Sequence, residues 1–294
     1  MNSSTQRPKV YADPEFVNSP EARTIRILAE YLGPLRQFRR EKIKDTIVFF
    51  GSARAVNREQ AEKEYRELRQ SLRTSSRSGS NLATLDSARL KIQLARYYEE
   101  ALELARLITE WSLSLDERLA RFVICSGGGP GIMEAANRGA RLAGGKTIGL
   151  NISLPFEQRP NTFITEGLSF EFHYFFMRKY WFVYLAKALI VFPGGFGTMD
   201  ELMEVLTLLQ TRKINKEMVV LLYGSSFWKQ VLNFKALVRW GTVEKKDLEL
   251  FTFADSPGHA FQIVKQGLEK YYLDPRRIRG QGGEVRSPRT IPSV

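Results

Sequence analysis

Twice in this chain a short, almost wholly apolar run empties directly into a cluster of glycines, and a helical pattern follows at once. In the first, Phe122-Val123-Ile124-Cys125 passes through Ser126 into Gly127-Gly128-Gly129-Pro130-Gly131 and a helix expected to begin near Ile132. In the second, Ala188-Leu189-Ile190-Val191-Phe192 passes into Pro193-Gly194-Gly195-Phe196-Gly197-Thr198 and a helix expected over Thr198 to Gln210. Continuous apolar runs of this length suit strands buried on both faces of a parallel sheet. Open parallel sheets present ligands to the turns beyond the carboxyl ends of their strands. The two units therefore predict two ligand-facing turns on one edge of one sheet.

The remaining pattern extends that sheet. A β-branched and aromatic run at Thr46 to Phe50 ends in Gly51-Ser52-Ala53-Arg54 and predicts a further strand feeding a ligand loop. Apolar residues recur at helical spacing over Glu59 to Arg73 and Ser87 to Trp111, with a polar loop at Thr74 to Ser80 between them. Strands are expected at Lys146 to Ile152 and Leu168 to Phe172, separated by the loop Pro155 to Thr165, and then a helix over Phe175 to Lys187. Beyond the second glycine turn come a strand at Met218 to Tyr223 and helices at Ser226 to Trp240 and Pro257 to Tyr272. This alternation predicts an α/β fold, a Rossmann-like, doubly wound, mainly parallel sheet flanked by helices. A chain of 294 residues fits a single such domain with extensions. The expected division is an N-terminal extension over 1–44, a Rossmann-like α/β domain over 45–273 with a helical insertion at about 57–111, and a basic, flexible tail over 274–294.

Composition narrows the setting. Cys125 is the sole cysteine and can form no internal disulfide, which suits a reducing, cytoplasmic compartment. No stretch resembles a signal peptide or a membrane span, so no membrane partner is expected. The formal net charge of +12 attracts polyanions and phosphorylated small molecules alike. Part of it lies in the tail, where Arg276, Arg277, Arg279, Arg286 and Arg289 are spread among Gly and Pro as in a solvated end. Clustered basic and aromatic RNA motifs are missing, so nucleic acid is not the expected partner. With two histidines, His173 and His259, and one cysteine, the chain has little material for a zinc site or a histidine-based triad, and no metal or cofactor is expected. His173 reads as a strand-end or pocket-wall residue and His259 as a surface helix residue.

The second turn has what a phosphate cradle needs: Gly194, Gly195 and Gly197 for close backbone approach, unpaired amides at a helix start, and the hydroxyl of Thr198. A glycine turn between strand and helix is also accounted for by geometry alone. The turn lacks a P-loop lysine, which favours a lone phosphate over a triphosphate with magnesium. Glu201 lies in the first turn of the following helix, where a carboxylate either complements the helix dipole or faces the sugar beyond the phosphate. Leu202, Val205, Leu206 and Leu209 form the stripe expected to be buried, with Glu201 and Glu204 at its border. Two carboxylates one turn apart can bind a ribose or raise one another's pKa, although Glu204 is equally read as solvated or structurally paired. Gly128 and Gly129 could cradle a second polar part of a ligand, or serve packing, and Glu134 reads as a dipole-complementing carboxylate. Arg178 and Lys179 sit in the aromatic run Phe175-Phe176-Met177-Arg178-Lys179-Tyr180-Trp181-Phe182, where the plain reading of Arg178 is a surface or ion-pair residue.

Together these residues resemble the LOG-type proteins, cytokinin riboside 5′-monophosphate phosphoribohydrolases long mislabelled as possible lysine decarboxylases. Pro193 to Glu201 is similar to their PGGxGTxxE signature at every fixed position, and the Arg178-Lys179 pair stands 23 residues before Glu201 as in the family. Gly51-Ser52-Ala53-Arg54 and Ser126 to Asn137 resemble the remaining ligand loops of the larger bacterial members. The resemblance covers about Thr46 to Trp240. It implies cleavage of the N-glycosidic bond of a nucleoside 5′-monophosphate to free base and ribose 5-phosphate, with Arg178 and Glu201 as the catalytic pair. It implies that Gly194, Gly195, Gly197 and Thr198 hold the phosphate, with Gly51, Ser52, Gly128, Gly129, Lys179 and Glu204 as further substrate-binding residues. It also implies a homo-oligomer, a dimer or larger. The chain departs from the compact plant-type pattern in its N-terminal extension, its insertion, and Phe175-Phe176-Met177 in place of Met-His-Glu before Arg-Lys. The last change touches the base-proximal region, so AMP is the first expected test substrate, with a cytokinin riboside monophosphate beside it and the base left open. The alternative from another class is a non-catalytic nucleotide-binding or sensor protein.

Overall fold

Residues 8–72, 79–115, 121–154 and 159–274 are described by the computed structural model of the chain. The tail beyond Asp274 and most of the polar stretch at 74–80 lie outside them. Seven strands, β1 (Thr46–Phe50), β2 (Val123–Ser126), β3 (Thr147–Ile152), β4 (Ser169–Phe172), β5 (Ala186–Val191), β6 (Val219–Tyr223) and β7 (Thr252–Ala254), form one sheet in the order β4-β3-β2-β1-β5-β6-β7. Every neighbouring pair is parallel. The chain runs outward from β1 to β4, then returns across the sheet to lay β5 on the other side of β1. That reversal makes the seam between β1 and β5 the topological switch point, the place where such sheets open a ligand crevice.

Ten helices accompany the strands among the described residues: α1 (Pro14–Asn18), α2 (Arg23–Arg40), α3 (Arg58–Ser71), α4 (Gly79–Leu113), α5 (Ile132–Leu142), α6 (Phe175–Tyr184), α7 (Phe196–Gln210), α8 (Ser225–Val231), α9 (Phe234–Arg239) and α10 (Pro257–Leu268). Alternation along β1 sorts the core into two layers, since successive strand side chains point to opposite faces. Ile47 and Phe49 pack with Tyr98, Leu104 and Ile108 of α4, Ala135 and Ala136 of α5, and Val264 of α10. Val48 and Phe50 face Phe38 of α2, Trp181 and Phe182 of α6, Leu202 of α7 and Trp228 of α8. Within the stretch expected as an insertion, α4 thus forms much of one helical layer and meets α5 along its length.

Some expected boundaries move. The helix predicted to reach Lys187 stops at Tyr184, because Ala186 already pairs with Thr46 as β5. Lys216 Nζ donates to the carbonyls of Val183 and Tyr184 and so closes the end of α6. The helix predicted over Ser226 to Trp240 is two helices, broken where Leu232 is extended and the Asn233 side chain accepts from the N–H of Ala236. Three of these elements were not expected from the sequence: α1, α2, with Pro34 inside it and arginines along it, and the three-residue β7.

Candidate active site

Three loops leave the carboxyl ends of adjacent strands and are laced to one another through the backbone of one residue. The Ser52 N–H donates to the Pro193 carbonyl at 2.9 Å, and the Ser52 carbonyl accepts from the Ile132 N–H at 3.1 Å. The loops after β1, β5 and β2 are thereby fixed together at the switch point. Close approach requires glycine at two contacts in this junction. A Cβ on Gly131, whose φ is +75°, would lie 2.3 Å from the Ser52 carbonyl oxygen, and one on Gly51 would lie 2.7 Å from the Ile132 side chain. The Ser52 hydroxyl accepts from the Arg54 N–H at 3.1 Å.

The turn after β5 opens to solvent. Helix α7 starts at Phe196, so the N–H groups of its first turn have no intrahelical partner. Positions Gly195 and Gly197 have open space where a Cβ would stand, while Gly194 is covered by Thr198, itself buried. Exposed amides at a helix start, with the positive end of the helix dipole behind them, suit an anion. Phe196, at the tip, is 93% exposed.

One turn further along α7 lies Glu201. It is only 5% exposed and so stands well inside the border position that the helical wheel gave it. The cause is α6, which lies over the start of α7 and sets Arg178 against it at 3.5 Å. Arg178 is no surface residue: its guanidinium lies over the rings of Phe175 and Phe182, and its buried Nε has no hydrogen-bond partner. Lys179, beside it, gathers Asp200 at 2.7 Å, Glu204 at 2.8 Å and Glu201 at 3.8 Å. Glu204 is therefore structurally paired. Burial pushes the Glu201 carboxyl up to about 7, against the opposing pull of Lys179 and Arg178 and with Glu204 and Asp200 adding to the rise. Burial also draws the Arg178 guanidinium down, partly offset by Glu201 and Asp200. A carboxyl held near neutrality in a partly buried position can accept a proton or stabilise a developing positive charge.

The loop after β2 rests on a buried polar network. The Ser126 hydroxyl donates to Asn137 Oδ1 at 2.7 Å and accepts from the Gly128 N–H at 3.1 Å. The Asn137 amide donates to Thr147 Oγ1 and to the Ile148 carbonyl, and Asn161 donates to Asn137 Oδ1 at 2.9 Å. Neither Asn161 nor the role of Asn137 was read from the sequence, because a buried asparagine leaves no periodic trace. Glu134 does more than complement a helix dipole: Tyr98 of α4 donates to it at 2.7 Å. Of the histidines, His173 is exposed just beyond β4 and His259 is exposed in the first turn of α10. No cluster of metal-ligating side chains occurs among the described residues, and none of their helices is long and apolar enough to cross a membrane.

Residues 133–264 match the family model described as "possible lysine decarboxylase", the label attached to the LOG-type proteins. The matched segment carries Arg178, Lys179 and the whole PGGxGTxxE stretch. No curated protein matches the chain. Among solved structures, the chain is similar to a molybdenum cofactor carrier protein from Chlamydomonas reinhardtii, at 18% identity, covering 76% of this chain and 98% of that one with a TM-score of 0.44. It is similar also to the structural-genomics target TM1055, at 17% identity over 76% of this chain and 99% of that one, again with a TM-score of 0.44.

Proposed function

We propose that the protein hydrolyses the N-glycosidic bond of a nucleoside 5′-monophosphate, releasing the base and ribose 5-phosphate. The observation that carries this reading is a buried carboxyl, Glu201, raised to about 7 and placed one helical turn beyond an open anion-binding helix start. Phosphate on the amides of Gly195 to Thr198 brings the ribose to Glu201. As the bond to the base stretches, positive charge grows on the sugar, and the Glu201 carboxylate both stabilises it and orients or deprotonates the attacking water. Water adds its oxygen to the anomeric carbon and keeps one proton as the new hydroxyl, the bonding pair leaves with the base, and the water's other proton passes by way of Glu201 to the base. Arg178 donates charge-assisted hydrogen bonds to the ligand rather than a proton, since a guanidinium is a poor acid even when burial lowers it.

The label "lysine decarboxylase" would call for pyridoxal phosphate on a lysine. The lysine at this site is held by Asp200 and Glu204. The partly buried Lys216 is committed to the end of α6, before β5 begins, whereas the glycine turn lies beyond the other end of that strand. Neither fits a Schiff-base role. We also propose that the exposed rings of Phe175 and Phe176 on α6 and Phe196 on the turn meet a second copy of the chain, which light scattering at several concentrations would test.

The deciding experiment incubates the pure protein with AMP, other nucleoside monophosphates and cytokinin monophosphates and assays free base and ribose 5-phosphate. Release of base from at least one of them is expected; binding without turnover would move the protein to the sensor class.

A further inference from the structure

Asn161 lies in the segment between β3 and β4, is 9% exposed, and spends its groups almost wholly on the glycine loop after β2. Its backbone N–H donates to the Gly128 carbonyl at 2.8 Å, and its side-chain amide donates to the carbonyls of Gly128 at 3.0 Å and Gly129 at 3.1 Å. The same amide reaches Asn137 Oδ1, so Asn161 is itself held from the interior side by a residue with no exposure at all. Its own Oδ1 accepts from the Phe163 N–H at 3.2 Å, which fixes which way the amide group points.

The Gly128 carbonyl is thus pulled inward by two donors. In a trans peptide the C=O and N–H vectors are antiparallel, and no cis peptide occurs among the described residues. The N–H of Gly129 must then point away from Asn161. The next peptide ends on Pro130 and carries no N–H. Gly128, at φ +73°, sits where glycine has access to the opposite peptide orientation as readily, so the orientation depends on the clasp.

We infer that Asn161 is a positioning residue: it sets the Gly128–Gly129 peptide so that the Gly129 N–H is presented to a polar group of the nucleotide beyond its phosphate. The inference rests on the proposed reading of the crevice as a nucleoside monophosphate site. Phosphate itself is held on the separate turn after β5, so the two loops can be tested independently.

The test follows the Gly129 amide resonance of the wild-type protein during titration with AMP and with inorganic phosphate, and measures both affinities for Asn161→Ala by calorimetry. The Gly129 amide is expected to shift with AMP and not with phosphate. Asn161→Ala is expected to weaken AMP by about 10–100-fold, the loss of one hydrogen bond to a polar or charged group, while phosphate affinity stays within about twofold. An unmoved Gly129 amide in a wild-type protein that binds AMP would overturn the inference and leave the hydrolase reading standing. Equal weakening of AMP and phosphate in the variant would reduce Asn161 to a merely structural residue. Wild-type protein that neither binds nor cleaves any nucleoside monophosphate would remove both readings. If Asn161→Ala does not fold, the wild-type amide titration decides alone.

Discussion

Glu201 carries two charges' worth of conflict: burial favours its neutral form while Arg178 and Lys179 favour the ionised one. Glu201→Ala is expected to lower kcat by about 10²–10⁴-fold, the range for losing a positioned general base. Phosphate affinity should stay near that of the wild type, because the amides of the turn are untouched; a fully active variant would move the catalytic role elsewhere. Since the working form is the carboxylate, kcat/KM should fall on the acid side of about pH 7, and that limb should trace to Glu201. The same shift acts on stability. A carboxyl whose folded pKa lies near 7, above its ordinary value of 4.5, binds protons more tightly in the folded chain, so stability falls as pH rises through that window. Wild-type denaturation measured between about pH 5 and 8 should show this fall, and Glu201→Gln should flatten it. The motif that singles out Glu201 was legible in the sequence. Its burial was not, because the side chain that covers it, Arg178, comes from another helix and meets it only in the tertiary fold.

At the scale of elements, strands were the most legible part. A period-two or continuous apolar run needs no partner to be recognised, and β1, β2, β3, β5 and β6 stand within a residue or two of where the pattern put them. The helices that failed did so for local reasons. One was a lysine from elsewhere ending α6, another an asparagine cap splitting α8 from α9, and α2 hid an apolar stripe of Ile27, Tyr31, Leu35 and Phe38 behind its arginines and a proline. That stripe is anchored by Trp181, whose indole N–H donates to the Glu30 carbonyl at 2.9 Å and whose ring meets Tyr31 and Phe38. Trp181→Ala should destabilise the protein by about 3–5 kcal/mol, as for other buried aromatic deletions, and proteolysis should then cut within α2 first. Among the loops, Gly131→Ala places a methyl group 2.3 Å from the Ser52 carbonyl oxygen at a positive φ. Nucleotide affinity should fall in this variant even where its far-ultraviolet circular dichroism matches the wild type.

For the whole molecule, the doubly wound architecture was legible from the alternation of strands and helices, and the crevice follows from where the strand order reverses. The net charge of +12 is the whole-molecule property that tempts a nucleic-acid reading. Removing residues 275–294 separates the two: hydrolysis should survive, whereas any binding of RNA should weaken and lose part of its salt dependence. A further property of the whole follows from the lacing of three loops through Ser52. Pro193, Ser52 and Ile132 come from distant parts of the chain, so the Ser52–Pro193 bond waits for β5 and the Ser52–Ile132 bond for β2 to dock beside β1. The three-loop junction at the switch point is therefore complete only once both crossovers are in place, and a partly folded chain lacking either one holds it incomplete. A ligand seated there draws its stabilisation from global folding, about 2.7 kcal/mol at a hundredfold excess over its Kd, and delays unfolding of the entire sheet together.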